Sequence, residues 1–421
     1  MADGDHPHAY LAALVERSWG ILGGNLVGAY AAGSVALDAY QPGRSDIDVA
    51  LVTAEPLDDT EKHALVAALR HEALPVPARG LELVVYTRAG AGSGTTDPGF
   101  EVELNTGPAM AFRATYDPAD RPAADGRFWY ALDRSILSGL DGALLGPPAR
   151  EVFADVAPDD LRALLVEALT WWLRQPGDPG DGVLGACRSL VRVRDGEWLP
   201  KIAAAQRLVA YGYQPAAVVE AAVAERLETG PPPPSVAAQA FQRAVRTETR
   251  GTRLRLLTEA DLPELVALQE AGGITGLGHI FPQDTNPFPR ERVADRWRTE
   301  IADPGTEALA VEVDGRLEGF VALRGDELLH FGTAVDTWGT GLAEDAHDLA
   351  VERLSRRGVD TARLWAFADN QRAVRLYERL GWRRTGEIRP TTFPPFPTLV
   401  AYTLDLTPPS ASGMGDRLRA V

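Results

Sequence analysis

The sequence predicts an α/β multidomain protein, in which a mixed α/β domain is followed by a helical bundle and then by a second mixed α/β domain. Three observations predict it. The chain has 421 residues, too long for one ordinary domain, and its 45% apolar and 24% charged residues can supply folded cores. The pattern changes from short apolar runs to helical spacing near Pro158, and back to strand-like runs near Gly251. Pro231 to Pro234, which no helix accommodates, form a stiff connector shortly before the second change. The expected domains are 1–150, 151–250 and 251–408, with a flexible tail at 409–421.

Leu26 to Ala32, Ile47 to Thr53 and Leu81 to Thr87 read as strands, and Asp59 to His71 reads as an amphipathic helix. In the second stretch, Asp159 is a plausible cap for a helix running to Leu173. Helices at Val183 to Arg194, Pro200 to Tyr211, Pro215 to Leu227 and Ser235 to Thr249 follow. The third stretch opens with the strand Leu254 to Leu257 and a helix with Asp261 and Pro263 near its start. A Gly/Pro-rich loop, Gly272 to Pro289, leads to a helix from Arg290 and the strand Leu309 to Val313. Asp314-Gly315 is a hairpin turn into Leu317 to Leu323, and strand, helix, strand, helix and strand complete the domain. No fixed-period repeat is present.

The net charge of −17 argues against a nucleic-acid partner, whose footprint is a basic patch, and mildly favours cationic small molecules. A single cysteine, Cys187, excludes an internal disulfide and a multi-cysteine zinc site. Met1 to Tyr10 has no basic stretch followed by an apolar core, and no apolar run reaches membrane-spanning length. A cytoplasmic protein with no membrane partner is therefore expected. Lysine occurs only at Lys62 and Lys201, so nearly every basic residue is arginine.

The first chemical constellation is Gly33-Ser34 followed by Ser45-Asp46-Ile47-Asp48 on a strand. Side chains alternate along a strand, so Asp46 and Asp48 share one face while Ile47 and Val49 enter the core. Two carboxylates at that spacing can share a hard divalent cation, and the same ion holds phosphates. Gly33 allows close approach of the backbone to a phosphate chain, and the Ser34 hydroxyl can donate to it. Glu82, on the otherwise apolar run Leu81 to Val85, completes a three-carboxylate cluster if its strand lies beside the first. It is then placed to act as general base toward a hydroxyl. The alternative is that all three acids decorate exposed strand faces.

Gly33-Ser34 with Ser45-Asp46-Ile47-Asp48 resembles the polymerase-beta-like nucleotidyltransferase signature. Leu81-Glu82, Asp133-Arg134, Gly146-Pro147-Pro148 and the helical stretch resemble aminoglycoside adenylyltransferases of the streptomycin/spectinomycin type, over roughly residues 20–248. The resemblance implies Mg2+ and ATP held by Asp46 and Asp48, with Glu82 as both metal ligand and base and Ser34 as a triphosphate contact. It also implies an ATP contact for Lys201, in keeping with an ammonium's fit to phosphate, and a phosphate or structural role for Arg188. Asp178 and Asp181 fall where such enzymes present carboxylates to the amines of the drug, although a surface turn reads the same way. Trp171 and Trp172 read as core. Where streptomycin-type members carry a tryptophan after the base strand, this chain has Glu103 to Pro108, which points to a different acceptor.

The second constellation is the strand Leu328 to Thr333, then Trp338-Gly339-Thr340-Gly341-Leu342-Ala343 opening a long helix. Glycines there expose backbone N–H groups at a helix start, a seat for a pyrophosphate. The strand Ala362 to Phe367, Asn370 with Arg372-Ala373, Tyr377 and Gly381-Trp382 follow, and the whole resembles a GNAT-fold acetyltransferase over about residues 252–406. The resemblance implies acetyl-CoA bound by Gly339, Gly341, Ala343 and Asn370, with Tyr377 protonating the leaving thiolate. Trp338 stands where an arginine is frequent. No general base is assigned among Glu312, Glu318, Asp326, Glu327 and His330.

Together these expectations describe a bifunctional enzyme that adenylylates a hydroxyl and acetylates an amine, most economically on an aminoglycoside-like antibiotic. Open beside it are a toxin-like modifier of protein or tRNA, and an enzyme of one activity whose other domain only binds a ligand. The sequence sets no oligomeric state.

Overall fold

The computed structural model describes residues 7–175 and 177–407, so the expected tail at 409–421 and most of Met1 to Tyr10 lie outside the described residues. The chain forms two compact units divided between Thr249 and Arg250.

The first unit begins with α1 (His8–Leu22), β1 (Leu26–Ala31), the short α2 (Gly33–Ala36), β2 (Ile47–Thr53), α3 (Asp59–Leu69) and β3 (Leu81–Thr87). The short α4 (Arg88–Ala91), β4 (Phe100–Gly107), β5 (Met110–Thr115) and α5 (Phe128–Leu137) follow. The five strands form one sheet in chain order, antiparallel except for β2 and β3. That parallel pair needs a crossover, which α3 supplies, started by Asp58 and Glu61 in a reciprocal capping box. Alternation decides what each face meets. Ile47, Val49, Leu51, Leu81, Leu83 and Val85 share one core with Leu11 and Leu14 of α1 and Leu65 of α3. Ala50, Val52 and Tyr86 face the other way, into a core with Tyr130 and Leu137 of α5. Asp48 and Glu82 have the parity of this second face.

The helical part comprises α6 (Pro158–Trp172), α7 (Pro179–Asp195), α8 (Lys201–Ala210), α9 (Ala216–Arg226) and α10 (Ser235–Arg250), whose last residue opens the second unit. Their shared core includes Leu184, Cys187, Leu190, Ala205, Leu208, Val219 and Phe241. Asp159 does not cap α6. Pro158 takes the first helical position and Asp159 the next, because proline's fixed φ and missing N–H suit that place.

The second unit contains β6 (Arg253–Leu256), α11 (Leu262–Leu277), α12 (Arg290–Ala302), β7 (Thr306–Val313), β8 (Arg316–Arg324) and β9 (Glu327–Thr333). Then come α13 (Leu342–Arg356), β10 (Thr361–Phe367), α14 (Gln371–Arg379), β11 (Arg383–Pro390) and β12 (Thr398–Asp405). The sheet order is β11-β12-β10-β9-β8-β7-β6, with α11 and α12 packed on one face and the buried side of α13 on the other. The expected Gly272–Pro289 loop is shorter than the sequence suggests, because α11 continues to Leu277. Its glycines are close-approach positions: a Cβ on Gly273 would meet Phe288, and one on Gly276 would meet Trp338, each at 3.3 Å. The expected single closing strand is a pair. β11 is exposed along its length and slips register between Arg384 and Ile388, which erases the alternation that marks a half-buried strand.

Candidate functional sites

In the first unit, the parallel register sets Asp48 directly beside Glu82 at the start of two strands buried elsewhere. Asp46 lies two residues before Asp48, on the same side. Gly33 fixes the approach of the preceding turn: its φ is +53°, and a Cβ there would lie 1.8 Å from Asp48 Oδ2. Any side chain would therefore displace that carboxylate. The turn is held to β2 by Ala32 N–H donating to Asp48 O at 2.8 Å. Next to it, the Ser34 hydroxyl is buried with no hydrogen-bond partner.

Asp133, on α5, is a further acid of the site, one to which the sequence pattern assigns no role. Burial raises its pKa to about 6, with Arg188 and Arg134 opposing and Asp46 adding. Burial, then Asp46, Asp133 and Glu103, hold Glu82 up at about 7 despite Arg113. Asp48 is pushed well above the carboxylate range by burial and by Asp46, Glu82 and Asp133, with Arg188 opposing. Burial and neighbouring acids thus raise Asp48, Glu82 and Asp133 alike, as in a site built with more negative than positive charge.

Basic groups from the helices border this cluster. Arg188 of α7 is pulled down by burial while Asp133, Asp48 and Asp181 push it up. Lys201, the first residue of α8, pairs with Asp181 at 3.3 Å; burial lowers its pKa and Asp181 opposes that. Arg226 of α9 pairs with the same Asp181 oxygen at 3.3 Å. Two residues expected at separate places, Lys201 and Asp181, are therefore partners. Asp178 caps α7, accepting from Gly180 and Asp181 N–H at 3.0 and 3.1 Å. Glu103 lies under the site, bonded to Arg113 at 2.8 Å and to Arg121. Arg134 turns away, donating to the carbonyls of Thr95, Asp97 and Pro98.

Among the described residues, no three His, Cys, Asp or Glu side chains converge as a preformed metal cage. The donor set nevertheless fits a hard divalent cation. Asp46, Asp48 and Glu82 offer only oxygen, their mutual repulsion is what such an ion relieves, and Ser34 has a buried hydroxyl without a partner.

In the second unit the site is built largely from backbone. Strands β9 and β10 run parallel but pair only at Glu327 with Arg363 and Leu328 with Leu364. Beyond that point β9 continues beside β8 alone, from His330 opposite Ala322 to Thr333 opposite Gly319. After β9, Gly339 and Gly341 take φ of +85° and +89°, values that L side chains rarely adopt. Gly341 caps α13, with Ala343 in its first turn. Arg250 secures the turn, donating to Thr340 O at 2.5 Å and to the Asp345 carboxylate. Trp338 donates to Thr333 O at 3.1 Å, and the Arg372 guanidinium lies 3.4 Å over its ring. A cation thus stands beside Trp338, supplied by α14. Asn370 caps α14, accepting from Ala373 N–H at 3.1 Å. Tyr377 is buried between Trp382 and Tyr402, and burial raises its pKa above the usual phenol range, so it is protonated at neutral pH.

No local pattern in the sequence marks the partner of His330. His330 Nε2 lies 2.9 Å from Glu300 Oε1 of α12, thirty residues earlier in the chain.

Residues 276–382 match the acetyltransferase (GNAT) family. The second unit carries a GNAT acetyltransferase domain. Mycothiol acetyltransferase of Clavibacter sepedonicus is 35% identical over 97 residues, 22% of this chain and 31% of that protein. The enzyme of the same name from Streptomyces coelicolor is 37% identical over 98 residues, 22% and 30%. The chain thus spans about a third of the length of the curated relatives it matches. Among solved structures, spectinomycin adenyltransferase from Enterococcus faecialis, crystallised with ATP and spectinomycin, aligns at a TM-score of 0.44 and 16% identity. It covers 57% of this chain and 98% of its own. Spermidine N-acetyltransferase from Vibrio cholerae, in complex with CoA and spermine, aligns at 0.31 and 19%, covering 37% and 95%. No helix among the described residues is long and apolar enough to cross a membrane.

Proposed function

We propose that the chain is a bifunctional transferase in which the first unit moves an adenylyl group from Mg2+-ATP to a hydroxyl and the second moves an acetyl group from acetyl-CoA to an amine. The observation that carries the first half is the Asp48–Glu82 register pair with Gly33 packed against Asp48. The GNAT match over residues 276–382 carries the second. The proposed division of labour is residues 1–150 for nucleotidyl transfer, 151–250 for closing over its substrates, and 251–408 for acetylation.

In the first site Asp46, Asp48 and Glu82 would hold Mg2+, which when bound neutralises phosphate charge. Glu82 takes the proton of the acceptor hydroxyl, and Gly33, Ser34, Lys201 and Arg188 bind the triphosphate. In the second site the Gly339–Gly341 turn, Ala343 and Asn370 seat the acetyl donor, Arg372 adds positive charge beside Trp338, and Tyr377 protonates the departing sulfur. A cationic aminoglycoside-like molecule offers both a hydroxyl and an amine, and it suits the charge of −17. Asp178, the cap of α7, and Asp181, the partner of Lys201, are the proposed contacts to its amines. The proposed setting is the cytoplasm, where both donors are available.

Mass spectrometry of an aminoglycoside and aminocyclitol panel incubated with ATP and Mg2+, with acetyl-CoA, or with both, tests this reading. Adenylyl and acetyl additions support it. Absence of any addition, with both donors shown to bind, rejects the antibiotic acceptor.

A further inference from the structure

The acetyltransferase reading leaves one chemical task without a residue. An amine is protonated near neutral pH, and only its neutral form has the electron pair needed to attack a thioester. Tyr377, buried and protonated, is placed to give a proton rather than take one.

The strand that parts from its parallel neighbour supplies a candidate. Pairing between β9 and β10 ends at Leu328, two residues before His330. On its other side β9 slips register against β8: Leu328 faces Leu323 and His330 faces Ala322, so Leu329 is an extra residue. Such a bulge bends a strand and re-aims the side chain next to it. His330 is aimed at α12, where its ring meets the Trp297 indole edge-on at 5.3 Å and Nε2 meets Glu300 Oε1 at 2.9 Å.

The Glu300 side chain is 8% exposed and that of His330 is 20% exposed. A carboxylate can only accept, so this bond places the hydrogen of a neutral imidazole on Nε2 and leaves the electron pair on Nδ1. Among the described residues Nδ1 has no hydrogen-bond partner, and it is not among the side-chain nitrogens closed off from solvent. Arg296 of α12 places its Nε 3.9 Å from Glu300 Oε2, and β8 and α11, packed against the same region, carry the neighbouring acids Glu318 and Glu264. Trp297 is fixed in turn by its Nε1–H, which donates to Gln269 of α11 at 2.7 Å. Across β8 the histidine faces only Ala322.

We propose that His330 is the general base of the acetyl-transfer reaction and that buried Glu300 is its positioning residue. The proposal rests on the acetyltransferase reading above. His330 meets α12 and Tyr377 belongs to the core under α13 and α14, and the pairing between β9 and β10 ends just before His330. The protons balance as follows. His330 Nδ1 takes one proton from the ammonium and later returns it to water. The neutral nitrogen attacks the acetyl carbon, its bond to carbon forms and the carbon–sulfur bond breaks. The nitrogen's second proton leaves to solvent, Tyr377 protonates the sulfur, and its phenolate is then reprotonated. The net products are an amide, a free thiol and one proton.

Two measurements on the full chain test this. The first is thiol release from acetyl-CoA with aminoglycosides and polyamines as acceptors, followed against pH for wild type, His330→Gln, Glu300→Gln and Glu300→Ala. The expected result is a loss of roughly 10²–10⁴-fold in His330→Gln, the range of a general base. The acid-side fall in rate should disappear with it. Glu300→Gln, whose carbonyl still accepts from Nε2–H, should retain more rate than Glu300→Ala. The second is nitrogen-15 NMR of the histidine rings without donor or acceptor. It should show His330 as the Nε2–H tautomer in wild type and as a tautomer mixture in Glu300→Ala. Transfer in His330→Gln at the wild-type rate and with an unchanged pH profile overturns the base assignment alone. No acetylation of any amine by wild type overturns the acetyltransferase reading and this proposal together.

Discussion

Under the proposed function the two sites face the same problem, holding a phosphate-bearing donor, and they are built from opposite materials. In the first unit the instruments are ionisable side chains, the acids Asp46, Asp48, Glu82 and Asp133 with Arg188 against them, packed closely enough that neighbours shift Asp48, Glu82 and Asp133. In the second they are backbone features: two glycines at positive φ, a helix start, and a strand that leaves its partner after two pairs. A site made of charges is tuned by every nearby charge, and its state depends on pH and ions. A site made of backbone N–H groups has a fixed polarity and fails only when its geometry does.

The largest expected effects separate the two sites. Asp48→Asn should lower adenylyl transfer by at least about a hundredfold while acetyl transfer is unchanged. Tyr377→Phe should do the reverse, by roughly the 10²–10⁴-fold of a lost proton donor. Product masses from one reaction containing both donors measure both. A single substitution that depresses both transfers equally would break the comparison, because it would make the sites interdependent.

Next come the glycines, one from each site. A methyl on Gly33 meets Asp48 Oδ2 at 1.8 Å, and a positive φ costs a residue with a side chain about 1–2 kcal/mol. Gly33→Ala should therefore lower both melting temperature and Mg2+-ATP affinity, measured by calorimetry. Gly341→Ala shares the strain of a positive φ, here +89°. It should weaken acetyl-CoA binding while leaving Mg2+-ATP affinity intact.

How legible each site was in the sequence follows from the same contrast. Asp46, Asp48 and Glu82 stand out because an acid on an apolar strand breaks an otherwise regular pattern, but their adjacency needed the parallel register through α3. Asp133 carries no such mark, because a helix such as Phe128–Leu137 tolerates an acid on a solvated side, and only packing against the sheet shows otherwise. The available signal was the adjacent pair Asp133-Arg134 inside an apolar helix, which turns one charge to the site and the other to loop carbonyls. Glycine spacing revealed the second site's turn. Nothing local could reveal that Glu300 meets His330 or that Arg372 stacks on Trp338, since both are contacts between distant elements. The same holds for β11, an exposed edge strand without alternation.

The charged character of the first site also sets a pH dependence. Glu82 is raised from 4.5 to about 7, so the folded chain holds its proton more tightly than the unfolded chain does. Stability from this group is fully present below about 4.5 and is lost as pH rises through about 7. Glu82→Gln lacks this titration, so its melting temperature should gain on wild type across that window when measured without divalent ions. Mg2+ should shrink the difference at pH 8 by stabilising the ionised carboxylate, whereas the same ion should leave Tyr377→Phe indistinguishable from wild type in this assay. A difference that stays constant across the window would remove charge frustration from the account of the first site.

The smallest expected effect concerns Asp178, where one side chain has two candidate jobs. As the cap of α7 it satisfies the N–H groups of Gly180 and Asp181, and alanine there should cost about 1 kcal/mol. Serine also caps, so Asp178→Ser should recover most of that stability in a denaturant titration while removing the carboxylate. If Asp178 also meets an amine of the acceptor, Asp178→Ser keeps its stability yet shows a raised KM for the acceptor at unchanged KM for ATP. An unchanged acceptor KM leaves Asp178 as a cap alone. Substrate charge recognition in the first unit would then have to come from the Asp46, Asp48, Glu82 and Asp133 cluster, because Asp181 is already shared between Lys201 and Arg226.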